Sequence, residues 1–83
     1  MLAKSSENPK QQIEKAIDAY AKALRVYTEA ELPQDWADTN YNLGMAYLML
    51  APFSENPRQQ IEKAIEAYAN ALRLHTEAEL PQA

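Results

Sequence analysis

The chain has 83 residues, with 8 basic and 12 acidic side chains and a formal charge of −4. That is room for one small domain, and the acidic balance argues against nucleic acid or an anionic membrane as partner, because phosphate-rich surfaces call for an excess of Lys and Arg. With no Cys, one His and one Gly, the chain lacks the parts for disulfides, thiolate metal sites, phosphate-cradling loops and a Ser-His-Asp set, so no catalytic residue, metal or cofactor is expected.

A hydrophobic fraction of 47% beside 24% charged residues is ordinary globular composition, so the chain can fold. At this size a domain buries only about 60% of the surface its unfolded chain exposes, so marginal stability or self-association is expected. The start, Met1 Leu2 Ala3 Lys4 Ser5 Ser6, lacks the apolar run of a secretory signal, and a cytoplasmic setting is expected. The stretch 39–54 carries no formal charge, yet with Asn40, Asn42, Gly44 and Pro52 it is too short and too polar to cross a bilayer.

The first element opens at Asn8 Pro9 Lys10 Gln11. Asn at N-cap, Pro at the first helical position and Gln at the third form a capping-box arrangement. Ile13, Ala16, Ile17, Tyr20, Ala23, Leu24 and Tyr27 then recur at steps of three and four, the spacing of one helical face. Ala19, Val26 and Ala30 widen that face to roughly half the circumference, enough for two neighbouring helices. The helix is predicted over about 9–31, ending before Pro33.

The second element, predicted over about 36–51, is capped by Asp35, with Asp38 in its first turn, and is stopped by Pro52. Ala37, Tyr41, Leu43, Met45, Ala46, Tyr47, Leu48, Met49 and Leu50 leave almost no polar face, the mark of a helix buried on several sides. Gly44 within it forfeits about 1 kcal/mol of helix propensity relative to Ala, so its expected use is the close approach of a neighbouring helix.

The third element repeats the first. Setting residues 1–35 against residues 49–83, a shift of 48, gives 27 identities in 35 pairs. The differences are Lys4/Pro52, Ser5/Phe53, Lys10/Arg58, Asp18/Glu66, Lys22/Asn70, Val26/Leu74, Tyr27/His75 and Asp35/Ala83. Asn56 Pro57 Arg58 Gln59 repeats the start signal, and the helix is predicted over about 57–79, before Pro81. Residues 36–48 have no second copy. Identity this high fits recent duplication, consensus design or a fragment cut from a longer array.

Two lesser candidates are better explained as structure. His75 replaces Tyr27 of the first copy and has no second His beside it, so a packing or boundary position is expected rather than a metal or catalytic role. Glu14 and Asp18, or Glu62 and Glu66, are four apart as a paired-acid site requires, but they share a solvated face with Lys15, Lys22 and Lys63.

The run from Ala37 to Tyr47 resembles the first helix of the tetratricopeptide repeat (TPR), with Leu43 and Gly44 followed by Tyr47. Ala64, Tyr68 and Ala71 resemble its second helix, as do Ala16, Tyr20 and Ala23 of the first copy. The period of 48 exceeds the family's roughly 34 residues because both inter-helix segments are longer. The aromatic near the start of the first helix is replaced by Asn40, with Trp36 one turn upstream. The chain is most similar to the extended repeats of kinesin light chains and of bacterial scaffolds attached to caspase-like peptidase domains, which carry a segment like Leu32 Pro33 Gln34 Asp35 Trp36 Ala37.

The resemblance implies a single all-α domain over 1–83, an antiparallel three-helix α-solenoid fragment in the order second helix, first helix, second helix. It implies a non-catalytic interaction or self-assembly module, a homodimer or higher homo-oligomer joined through the unpaired faces of the outer helices, with exchange of a helix as one route. The alternative is a peptide-recognition domain, since family members bind peptides in a groove lined by first helices. Carried over singly, the groove positions are Asp38, Tyr41, Asn42, Met45, Leu48 and Met49. Asn42 matches an asparagine that bonds ligand backbone. Asp38, Tyr41 and Met45 stand where relatives place the basic residues that clamp a carboxylate, so acidic tails are not the expected ligand.

Overall fold

A computed structural model describes residues 8–79, with side-chain surroundings through Leu74. It is an all-α antiparallel three-helix fold: α1 (Pro9–Ala23), α2 (Pro33–Leu50), a single 3₁₀ turn (Ala51–Phe53) and α3 (Pro57–Glu79). No strand occurs among the described residues. α2 lies between the other two and packs against both. Asn40 meets Asn70, Gly44 meets Tyr68 and Tyr47 meets Lys63, so α2 and α3 run in opposite directions.

The predicted start of α1 is present in full. Asn8 Oδ1 accepts from the Gln11 backbone N–H at 2.8 Å, and Gln11 Oε1 accepts from the Asn8 N–H at 3.2 Å. In the second copy Asn56 Oδ1 accepts from Gln59 N–H at 3.3 Å, while the Asn56 N–H donates to Ser54 Oγ at 3.1 Å. Both ends keep otherwise orphaned first-turn amides bonded.

Two predicted boundaries are corrected. The first helix ends at Ala23 rather than near residue 31. Its last turn tightens into i→i+3 bonds, Arg25 N–H to Lys22 O at 3.1 Å and Val26 N–H to Ala23 O at 3.0 Å. The chain then turns at Thr28, whose Oγ1 accepts from Glu31 N–H and whose carbonyl accepts from Leu32 N–H. The nearly identical residues 71–79 stay helical in the second copy, so local propensity does not set this stop. The first copy must return to α2, and its turn is tied to α3: Arg73 Nη2 donates to both Glu29 carboxylate oxygens, at 2.7 and 2.8 Å, while its guanidinium lies 5.5 Å from the Trp36 ring centre.

The second helix starts at Pro33, not 36, and Asp35 is not its cap. Leu32 occupies the N-cap position without a side-chain bond, and its carbonyl accepts from Trp36 N–H at 2.8 Å. Pro33 fits the first position because its φ is preset and it has no N–H to satisfy. Asp35 instead lies in the first turn, where its charge complements the helix dipole. α2 ends at Leu50, two residues before Pro52, which sits within the 3₁₀ turn.

The core is built from small side chains. Ala37, Gly44, Ala46 and Ala51 of the central segment are buried, as are Ala64, Ala67 and Ala71 of α3. Gly44 allows a close approach, since a Cβ there would lie 2.9 Å from Cδ1 and Cε1 of Tyr68. Asn40, 3% exposed, is satisfied twice: its Nδ2 donates to Trp36 O at 2.9 Å, and its Oδ1 accepts from Asn70 Nδ2 at 3.2 Å. A polar bridge thus fixes the register of α2 on α3.

Candidate protein-interaction surface

At about 100° per residue, α2 divides into buried arcs against its two neighbours and one open arc. The open arc holds Asp38, Tyr41, Met45, Leu48 and Met49, all exposed, with half-buried Asn42 at its edge. All six groove positions named from the sequence therefore share one surface. Five of them are apolar or aromatic, or a neutral amide, because α2 has no polar face to turn outward.

Each side of this arc has a wall. On one side the Tyr41 ring meets Tyr68 of α3, centroids 5.6 Å apart and tilted by 53°. On the other an open cleft of about 390 Å³ separates α2 from α1, lined by Ile13, Ala16 and Tyr20 across from Asn42, Met45 and Met49. That volume reaches the lower end of small-ligand sites. The Asn42 amide makes no side-chain hydrogen bond within the described residues, leaving a donor and an acceptor beside an apolar wall. Asp38, which accepts from Gln34 Nε2 at 3.1 Å, supplies the arc's only charge. The surface suits an apolar chain segment with free backbone amides and opposes an acidic one.

Among the described residues no three His, Asp or Glu side chains converge as metal ligands, and no helix is long and apolar enough to cross a membrane. Asp18 is paired with Lys22 at 3.2 Å on the open face of α1, with both side chains about two-thirds exposed. Glu14, Glu62 and Glu66 are likewise exposed. The side chain of His75 lies outside the described residues.

A second apolar surface lies on α3, where Ile61, Ile65 and Leu72 are 42%, 61% and 61% exposed. The twin helices do not bury the same edge. In α3 the buried edge is Ala64, Ala67 and Ala71; in α1 the matching Ala19 is exposed and Ala16 and Ala23 are only half-buried. There, instead, Ile13, Ile17 and Leu24 are withdrawn from solvent, although their counterparts in α3 are open. The two buried arcs differ by roughly 100° around the helix axis. The repeat showed a wide arc on both helices but not which half each would use. Two substitutions between the copies carried that signal: Asn70 and Leu74 lie on the packed side of α3, while Lys22 and Val26 are exposed on α1.

No family model, curated protein or solved structure matches the chain.

Proposed function

We propose that the chain is a non-catalytic protein-protein interaction and self-assembly module of TPR-like helices, working in the cytoplasm as a homodimer or higher homo-oligomer. The observation that carries this is the exposed apolar edge Ile61, Ile65 and Leu72 on α3, together with the exposed Tyr41, Leu48 and Met49 of α2. Apolar side chains grouped on so small a domain are characteristic of interfaces. The TPR-like order draws support from α2 lying between two copies of one helix and from Gly44 seated on Tyr68. Sedimentation equilibrium from low to high micromolar concentration tests self-assembly: a rising average mass is expected, and a monomer throughout would refute it.

The second reading, peptide recognition through Asp38, Tyr41, Asn42, Met45, Leu48 and Met49, is favoured by the cleft beside Asn42 and Met45. It predicts binding of apolar, uncharged peptides, weakened by Met45→Glu at a concentration where the chain's mass is known. Equal binding of acidic and apolar peptides would refute it.

A further inference from the structure

We infer that the Ile61, Ile65 and Leu72 edge of α3 is a docking site for a helix of α2 type, that is, one whose docking face is uncharged and presents Asn, Ala and Met at the positions of Asn42, Ala46 and Met49. The inference rests on the interaction-module reading but not on self-association, because the helix can come from any chain.

The internal duplication says what covers this edge. Ile13, Ile17 and Leu24 are repeated without change as Ile61, Ile65 and Leu72. In the first copy these side chains are half-buried and α1 packs on α2: Ile13 lines the cleft with Asn42, Ala46 and Met49, while Ile17 lies with Tyr47 and Leu50. In the second copy the same three side chains face solvent, since α3 meets α2 through its alanine edge. One helix sequence therefore carries two edges, each of which fits a different side of α2, and only α1 has its isoleucine edge occupied.

The required partner follows from what α1 meets. The α2 side of that contact offers an amide, a methyl group and a thioether, with no charge. Small side chains let the isoleucines approach the partner's backbone, and methionine adapts to their shape. A charged helix face would have to bury unpaired charge there. In a second copy that side of α2 faces its own α1 across the cleft, with Ala46 buried, so supplying it requires α1 to move.

The test uses the full chain and a fluorescein-labelled peptide of residues 33–53 with a solubilising Lys tail, read by anisotropy. Saturable binding is expected. It should weaken by at least about tenfold in Ile65→Glu, which places an unpaired carboxylate in the contact, and remain within about twofold in Ala19→Glu on α1. Ile65 is 61% exposed, so Ile65→Glu should fold, which circular dichroism checks. In the peptide, Ala46→Glu should abolish binding and Tyr41→Glu should not. No binding, or binding indifferent to Ile65→Glu or to Ala46→Glu, overturns the inference. Sedimentation of the same chains separates the two proposals: peptide capture by a monomer sinks self-assembly alone, whereas self-association without capture sinks the docking edge alone.

Discussion

Gly44→Ala gives a measurable test of the close contact at the centre of the molecule. In an open helix this change adds about 1 kcal/mol of stability by restricting the unfolded chain and improving propensity. Here the new methyl would sit 2.9 Å from two ring carbons of Tyr68 and 3.1 Å from a third. The ring has little freedom to yield, because Tyr41 meets it from the side at 5.6 Å. Overpacking of this kind costs about 1–3 kcal/mol. Setting the clash near 2 kcal/mol against the propensity gain leaves Gly44→Ala destabilised by about 1 kcal/mol, or about 4–8 °C in Tm for a domain of this size. In a Tyr68→Ala background the obstacle is gone and the same change should stabilise by about 1 kcal/mol, so the double-mutant cycle should return a coupling of about 2 kcal/mol. Thermal denaturation followed at 222 nm, at one fixed protein concentration, reads all four proteins. A Gly44→Ala that raises Tm equally in both backgrounds would refute the assigned role of this glycine.

Asn70→Lys, which restores the residue of the first copy, removes the bond to Asn40 across the α2–α3 contact and should cost at least about 1 kcal/mol in urea denaturation. The reciprocal Lys22→Asn lies on an exposed face and should stay within about 0.5 kcal/mol. Arg73→Ala should change global stability by less than about 1 kcal/mol, because the Glu29 pair is half-exposed. Its expected mark is local: faster amide hydrogen exchange at the Glu31 and Leu32 amides of the turn than in the unaltered chain.

Much of the architecture was legible before any coordinates. The Asn-Pro-x-Gln starts place α1 and α3 because capping is local: the groups that satisfy the first turn are within four residues of one another. The open arc of α2 was legible for a similar reason, since residues three and four apart share a face in any helix. The six groove positions accordingly lie together, from Asp38 to Met49. The end of α1 was not legible. Residues 24–31 and 72–79 are almost the same sequence, but one segment turns and the other continues the helix. In the turn Glu29 is held by Arg73 from α3, a pairing 44 residues apart that no local pattern records. Asn40 was read as a missing aromatic, and its use as a bridge to Asn70 likewise depends on which residue lies opposite.

Sequence by itself determined that three helices form, the Asn-Pro starts of the outer two, the central place of the segment between them and the duplication that makes the outer two helices twins. Only tertiary structure decided how each twin is turned. An arc covering half a helix offers a neighbour more than one edge, and the choice falls to contacts outside the helix. Asn70 bonding Asn40, and Tyr68 seated on Gly44, set α3 with its alanines inward and its isoleucines open; α1, with Lys22 in place of that asparagine, rests on its isoleucines.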